Sequence, residues 1–272
     1  MKELGLKEIQ KVELDMLGYI DEICTKNDIK YTVTSGTALG TIRHNGFIPW
    51  DDDIDIGLDR KNYYKLIEAL KNGENKNYKV LTHDIEKTYG FPFAKLVDLR
   101  TVLIHKNQIP IKDYGVFIDI FKYDGLPKNS FISMIYFYRI KFMLRCINTS
   151  MFYEDKEERL LKRIIKKFFL LYAKIKGRDA LLKKYTKLSE KYDIDNTDYC
   201  MINWPVVKRK NQMVKTKFFK EFIRHKFEDI EINVMKDYDE YLTIAYGDYM
   251  TPPPEDKRVA PHVSEIYWKD SD

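Results

Sequence analysis

Apolar residues recur at helical spacing from Lys7 to Cys24, as Ile9, Val12, Met16, Ile20 and Ile23, with charged residues between them. That spacing predicts an amphipathic helix. Lys30 to Ser35 (Lys-Tyr-Thr-Val-Thr-Ser) reads as a short strand, which Gly36 ends. Thr37 to His44 can start a second helix, and Asn45-Gly46 is a turn signal. Asp53 to Leu58 then alternates as a strand, and Arg60 to Lys71 reads as a helix. Strands are expected at Tyr78–Thr82, Phe93–Val97, Thr101–His105 and Val116–Phe121. The pattern turns helical from Phe131 to Tyr192. The rest is mixed and carries the Pro252-Pro253-Pro254 run before a polar tail.

The first 125 residues therefore mix strands and helices, as in α/β or α+β packing. There is no internal repeat and no low-complexity linker. A soft boundary falls near Lys128-Asn129-Ser130. The expected organisation is a catalytic core at 1–128, a basic and mainly helical segment at 129–195, and a C-terminal segment at 196–272 that packs back on the core.

At 272 residues the chain can bury a sizeable core, and 44% hydrophobic with 33% charged residues is an ordinary globular composition. Three scattered cysteines, Cys24, Cys146 and Cys200, support neither a disulfide framework nor a cysteine zinc site, so a reducing compartment is expected. The start, Met1-Lys2-Glu3-Leu4-Gly5, lacks the apolar run of a signal peptide. Phe131–Phe152 comes nearest to a membrane span, but Arg139, Lys141 and Arg145 interrupt it.

The candidate chemistry lies in Pro49-Trp50-Asp51-Asp52-Asp53-Ile54-Asp55-Ile56. Alternate side chains of a strand face opposite ways, so Ile54, Ile56 and Leu58 share one face and Asp53 and Asp55 the other. Two carboxylates so placed can grip one hard cation, as magnesium is held in phosphoryl transfer. A lone Asp-x-Asp is more often a solvated edge. Four Asp within five positions repel one another unless a cation compensates. Asp51 and Asp52 read as loop-orienting neighbours, and Trp50 as packing.

Ser35-Gly36-Thr37, hydroxyls around a glycine at a helix start, would make a phosphate seat; an ordinary strand-to-helix turn explains it as well. Asp119 stands alone in the apolar run Val116 to Phe121, so it needs a partner: a metal, a general-base role or a structural ion pair. Asp113 and Asp124 look like turn residues.

The net charge of +5 is uneven. Lys156–Lys187 holds 12 Lys/Arg and 3 Asp/Glu, a local +9 that leaves −4 elsewhere. Within it, Leu161, Ile164, Ile165, Phe168, Leu171, Tyr172 and Ile175 form an apolar helical stripe flanked by lysines. The favoured reading is a surface helix packed by that stripe on the core. The other is an interfacial helix on anionic lipid. No nucleic-acid motif accompanies the basic residues, so no nucleic-acid partner is expected.

The run Ser35-Gly36-Thr37-Ala38-Leu39-Gly40-Thr41-Ile42-Arg43-His44-Asn45-Gly46-Phe47-Ile48-Pro49-Trp50-Asp51-Asp52-Asp53-Ile54-Asp55-Ile56 resembles the LicD family, which includes bacterial phosphorylcholine transferases and fukutin-type transferases. The likeness continues at Phe117–Phe121 and Asp124–Pro127. It returns at Tyr238–Leu242, Tyr246–Met250, Pro252–Pro254 and Arg258, with only a loose match in the helical middle.

The resemblance implies an α+β fold: a nucleotidyltransferase (polymerase-β-like) core with a mixed sheet, plus a helical region. It implies Asp53, Asp55 and Asp119 as catalytic metal ligands for magnesium or manganese. Phosphocholine would move from CDP-choline to a sugar hydroxyl of a cell-surface glycan, with CMP leaving. Ser35, Gly36, Thr37, Arg43, His44, Lys95 and Arg258 are candidates for holding the donor, with Trp50, Asp51, Asp52, Tyr246 and Asp248 around them. His262 is expected to be exposed. The acceptor would be a glycan, on a lipid carrier or not, and the chain cytoplasmic, with peripheral contact at the inner face of the plasma membrane as one option. CDP-glycerol or CDP-ribitol as donor, nucleotidyl transfer releasing pyrophosphate, and a non-catalytic membrane-associated scaffold are the competing readings.

Overall fold

The structure is a computed structural model, described for residues 1–105, 107–153, 160–205, 213–258 and 265–270. His262 lies outside the described residues.

The longest strand, β7 (Phe117–Gly125), organises the main sheet. Strand β3 (Asp55–Asp59) runs parallel to it on one side, and β5 (Ala94–Asp98) antiparallel on the other. Outside these lie β2 (Thr32–Val33) against β3, and β4 (Tyr78–Leu81) against β5. The far end of β7 pairs with β8 (Tyr199–Ile202), which pairs with β9 (Met213–Lys215). This mixed sheet, with helices packed on it, is an α+β core of nucleotidyltransferase-like architecture.

Helix α1 (Leu6–Lys26) buries Met16, Leu17 and Ile20 completely, as its apolar spacing requires. Helix α3 (Arg60–Lys71) begins where the Asp59 carboxylate accepts from the Asn62 N–H, so the last residue of β3 caps the next helix. Helix α3 covers the sheet face that carries Ile118, Ile120 and Lys122. The Lys122 ammonium sits 5.6 Å and 5.0 Å from the ring centres of Tyr63 and Tyr64. On that face Ile54, Ile56, Leu58, Ile118 and Ile120 are fully buried.

Asp124 belongs to this packing and is not a turn residue. It is the last residue but one of β7, is 4% exposed, and receives the Arg60 guanidinium at 2.6 Å. Asp113 does sit in a turn, at φ 57°, with Lys79 on its carboxylate.

The expected strand at Lys30–Ser35 shrinks to Thr32–Val33, because Ser35 already begins helix α2 (Ser35–His44). A separate hairpin, β10 (Phe222–Phe227) with β11 (Ile230–Met235), packs beside β2, where the Met235 N–H donates to the Thr32 hydroxyl at 2.8 Å. A small antiparallel sheet joins β1 (Lys2–Glu3), β12 (Glu265–Trp268) and β6 (Thr101–Ile104).

The helical region is a bundle of α4 (Ser130–Thr149), α5 (Leu160–Lys176) and α6 (Arg178–Ser189). Asn129 caps α4, its side chain accepting from the N–H groups of Phe131 and Ile132. The bundle has its own apolar cluster around Ile140, Ile147, Leu182 and Tyr185. Helix α5 departs from the favoured expectation. Its apolar stripe does not pack on the core; Ala173 is its one buried residue, and Leu161 and Phe168 are 69% and 59% exposed. Among the described residues no helix is long and apolar enough to cross a membrane.

Candidate active site

Register across the sheet builds the site. Asp55 of β3 stands opposite Asp119 of β7, and Asp119 stands opposite Lys95 of β5. Side chains directly across neighbouring strands share a face. The row therefore reads carboxylate, carboxylate, ammonium. The Lys95 ammonium pairs with Asp119 and lies 3.3 Å from the ring centre of Phe117. Lys95 is 4% exposed, so its first partner is this carboxylate beneath the site. Asp53 precedes β3 by two residues and follows the same alternation as Asp55.

Like charges so close resist ionisation. Enclosure pushes the Asp55 carboxyl well above the usual carboxylate range; Asp53 and Asp119 push it further, while the Ser35 hydroxyl and Lys95 pull it down. Enclosure lowers Lys95, and Asp119, Asp55 and Asp53 oppose that shift.

The loop that delivers the aspartates is fixed from several sides. The Gln10 amide of α1 donates to the Asp51 carbonyl at 2.8 Å and to the Ile48 carbonyl at 3.5 Å. The Asp51 carboxylate lies over Gly36; a Cβ there would stand 2.8 Å from its Oδ2, so a larger residue would push that carboxylate aside. The Glu228 carboxylate, from the β10–β11 turn, accepts from the Phe47 N–H at 3.0 Å and fills the space where a Gly46 side chain would go.

The Ser35-Gly36-Thr37 turn is tied to the carboxylate strand. The Thr37 hydroxyl accepts from the Asp55 N–H at 2.8 Å, and the Ser35 hydroxyl reaches the Asp55 carboxylate. Ser35 has φ 50°, a strained value for a residue with a Cβ, and its N–H donates to the Tyr241 hydroxyl at 3.1 Å. Tyr241 lies on α7 (Tyr238–Tyr246), which brings the C-terminal block onto α2.

A cationic and aromatic rim adjoins the acids. The Arg43 guanidinium donates to the His44 ring at 2.9 Å and to the Tyr249 carbonyl at 2.9 Å. Burial and the nearby Arg258 lower its pKa, so the two guanidinium groups are neighbours. Arg258 lies 5.6 Å from the Trp50 ring centre, and the His44 ring meets Trp50 edge-on at 6.5 Å. Tyr246 is raised by enclosure, then by Tyr241 and the carboxylates of Asp55, Asp51 and Asp53. It also acts on Arg43, so it spans rim and row. Asp52 lies beside Asp51 and Asp53, half-buried. Asp248 is exposed, and its carboxylate accepts from the Thr251 hydroxyl at 2.7 Å.

Sequence reading missed Gln10, Glu13, Glu228 and Tyr241. Glu13 carried a visible signal, because it lies four residues after Ile9 and four before Leu17, inside the buried stripe of α1. It is 1% exposed, and its Oε2 has no hydrogen-bond partner among the described residues. Burial raises its pKa far above normal, and Asp53, Asp52, Asp51 and Asp119 raise it further. Glu13 is thus an inner wall of the acidic site, where burial and the neighbouring carboxylates favour its protonated form.

Among the described residues, no three His, Cys, Asp or Glu side chains are drawn together as a ready metal-binding group. The acids form an open row. That arrangement suits a hard cation that takes one or two carboxylates and completes its shell with water and substrate phosphate.

Comparison with known proteins agrees with this geometry. Residues 28–145 match the family described as LicD/FKTN/FKRP, nucleotidyltransferase domain, whose superfamily is typically metal-dependent. The chain is 33% identical to the lipopolysaccharide cholinephosphotransferase LicD of Haemophilus influenzae, across 98% of this chain and 99% of that one. An uncharacterised protein of Rickettsia prowazekii is 36% identical over 110 residues, covering 40% of this chain and 38% of its own length. An uncharacterised protein of Rickettsia typhi is 42% identical over 110 residues, covering 40% of this chain and 32% of its own. With a likeness that runs the length of the chain and a site built from the same block of residues, the chain belongs to the LicD family of phosphotransferases.

Proposed function

We propose that this chain transfers phosphocholine from CDP-choline to a sugar hydroxyl of a cell-surface glycan, such as a lipopolysaccharide, teichoic acid or capsule precursor, and releases CMP. One observation carries the reading: Asp55 and Asp119 stand in register, with Asp53 beside them, and the rim of the site carries the cations Arg43 and Arg258. The name of the Haemophilus relative, a lipopolysaccharide cholinephosphotransferase, supports the transferred group and the acceptor class. Such a donor puts the reaction on the cytoplasmic side.

Magnesium, or manganese in its place, would be held by Asp53 and Asp55, with Asp119 completing the row. When bound, the ion would neutralise charge on the diphosphate and on the departing CMP. Arg43 and Arg258 would hold the diphosphate through charge-assisted hydrogen bonds, with His44 beside them and the Ser35-Gly36-Thr37 turn keeping the strand in place. The acceptor hydroxyl attacks the distal phosphorus in line. Its new P–O bond forms as the bond to the CMP oxygen breaks, and CMP leaves with the electron pair. A carboxylate of the row takes the hydroxyl proton. Trp50 and Tyr246 bring aromatic rings to the edge of the acidic row, which would suit a quaternary ammonium head group.

The test is CMP release from CDP-choline, CDP-glycerol and CDP-ribitol with magnesium and a glycan acceptor, for the native chain and Asp53→Ala. Release from CDP-choline alone, lost in the variant, is the expected result. Release from a polyol donor instead moves the head group, and pyrophosphate from CTP identifies nucleotidyl transfer. Equal activity in the variant would sink the carboxylate assignment.

A further inference from the structure

Twelve of the twenty-two exposed large hydrophobic residues among those described lie on α4 and α5. On α5, Leu160, Ile164, Phe168, Leu171 and Ile175 are 46–70% exposed along with Ile165, and at 100° per residue these five fall within about 80° of arc. That arc points away from Ala173, the residue buried in the bundle. On α4, Phe131, Ile135 and Tyr138 are 66%, 44% and 62% exposed and also share one side. A groove lined by Met134, Ile135, Tyr138 and Phe142 of α4 and Tyr172 of α5 joins the two faces. The Phe142 and Tyr172 rings meet there at 5.3 Å. Scattered apolar residues on a surface are ordinary, but a continuous face of this kind marks a contact.

Charge identifies what it contacts. Helix α4 carries three Lys/Arg and α5 six, and neither carries an Asp or Glu. Arg139, Arg145, Lys162, Lys174 and Lys176 are exposed. The acids of this stretch, Glu154, Asp155, Glu157 and Glu158, sit in the link 154–159, outside the described residues. A second copy seated on this face would set like charge against like. A bilayer surface rich in anionic phospholipid meets both features at once, with acyl chains for the apolar arc and phosphates for the lysines.

We propose that α4 and α5 form a docking face by which this chain lies on an anionic phospholipid surface, with the α5 axis in the plane of the headgroups. The proposal does not depend on which donor the active site uses. It places the enzyme where an acceptor built on a membrane lipid would be presented.

The experiment is co-sedimentation of the full chain with vesicles of phosphatidylcholine alone, or of phosphatidylcholine and phosphatidylglycerol in equal parts, at low salt and at about 0.5 M salt, where charges are screened within about 4 Å. Retention on the anionic vesicles at low salt, weakened by salt, is expected. Phe168→Glu with Leu171→Glu should abolish it. Lys167→Gln with Lys174→Gln, both exposed beside the apolar arc, should lower the partition coefficient about thirtyfold, about fivefold for each lysine. Both variants should keep native circular dichroism and the native rate on a water-soluble acceptor. The proposal is overturned if the native chain stays in the supernatant, or if the Phe168→Glu, Leu171→Glu variant is retained like the native chain. It is also overturned if that double variant merely turns a dimer into a monomer in sedimentation velocity without any vesicle binding by the native chain.

Discussion

Lys95 and Lys174 show how differently two parts of this molecule treat the same side chain. Lys95 is 4% exposed, held between Asp119 and the Phe117 ring in the middle of the sheet. Lys174 stands in solvent on α5, beside an apolar arc that the fold leaves uncovered. The sheet gathers charge inside and hides its apolar residues on the far face. The bundle hides a small apolar cluster and turns a second apolar surface outward. Buried charge of the first kind costs stability, and a protein retains it where chemistry needs it. Exposed apolar surface of the second kind costs solubility, and it persists where a contact covers it.

The sharpest way to test the sheet is Asp55→Asn. It should lower turnover about a thousandfold by removing a carboxylate from the reacting row. Because Asp53 and Asp119 push against Asp55, the same change should leave thermal stability of the metal-free protein equal or higher. A variant that loses stability along with activity would mean the row is structural.

In the bundle, Leu182 is fully buried, and Leu182→Ala should cost about 2–5 kcal/mol in denaturant unfolding. A smaller loss would mean that the bundle core is loosely packed.

Asp124 gives the sheet's back face a pH signature. Burial pushes its carboxyl up from 3.8 to about 6, against the pull of Lys122 and Arg60. Below pH 3.8 folded and unfolded chains both hold this proton. Between there and about 6 only the folded chain keeps it, so this group's contribution to stability falls as pH rises through the window, by roughly 3 kcal/mol. The slope should flatten in Asp124→Asn when unfolding free energies are compared across pH 4 to 7.

Gln10→Ala removes the amide that ties Ile48 and Asp51. It should cost about 1–3 kcal/mol and lower kcat more than it raises KM for donor, since the loop would no longer hold its aspartates in place. The smallest effect belongs to Phe168→Ser on the exposed face, expected within about 0.5 kcal/mol of native. A larger cost would show that this face is covered within the chain after all.

The carboxylates were legible because their chemistry is written in adjacent letters. Asp51, Asp52, Asp53 and Asp55 crowd a strand whose other face is all apolar, and local alternation alone separates the two faces. Helix α3 was legible to the residue, since Asp59 and the apolar spacing after it are local signals. Glu13 showed its place on a helical wheel but not its neighbours, which lie some forty residues and more than a hundred residues away in the chain.

The sequence by itself determined that the chain carries an acidic strand, a hydroxyl-glycine turn before it, and a basic amphipathic helix after it. Periodicity and charge are properties of neighbouring residues, and they survive without a fold. Only the tertiary structure decided that Lys95 faces Asp119, that Glu228 and Gln10 grip the aspartate loop, that Arg258 comes home to Arg43, and that the α5 stripe faces outward. Each of those depends on strand register or helix rotation, which one residue of slip or a part turn would reverse. Sequence spacing names both faces of an amphipathic element, but packing alone chooses which one meets water.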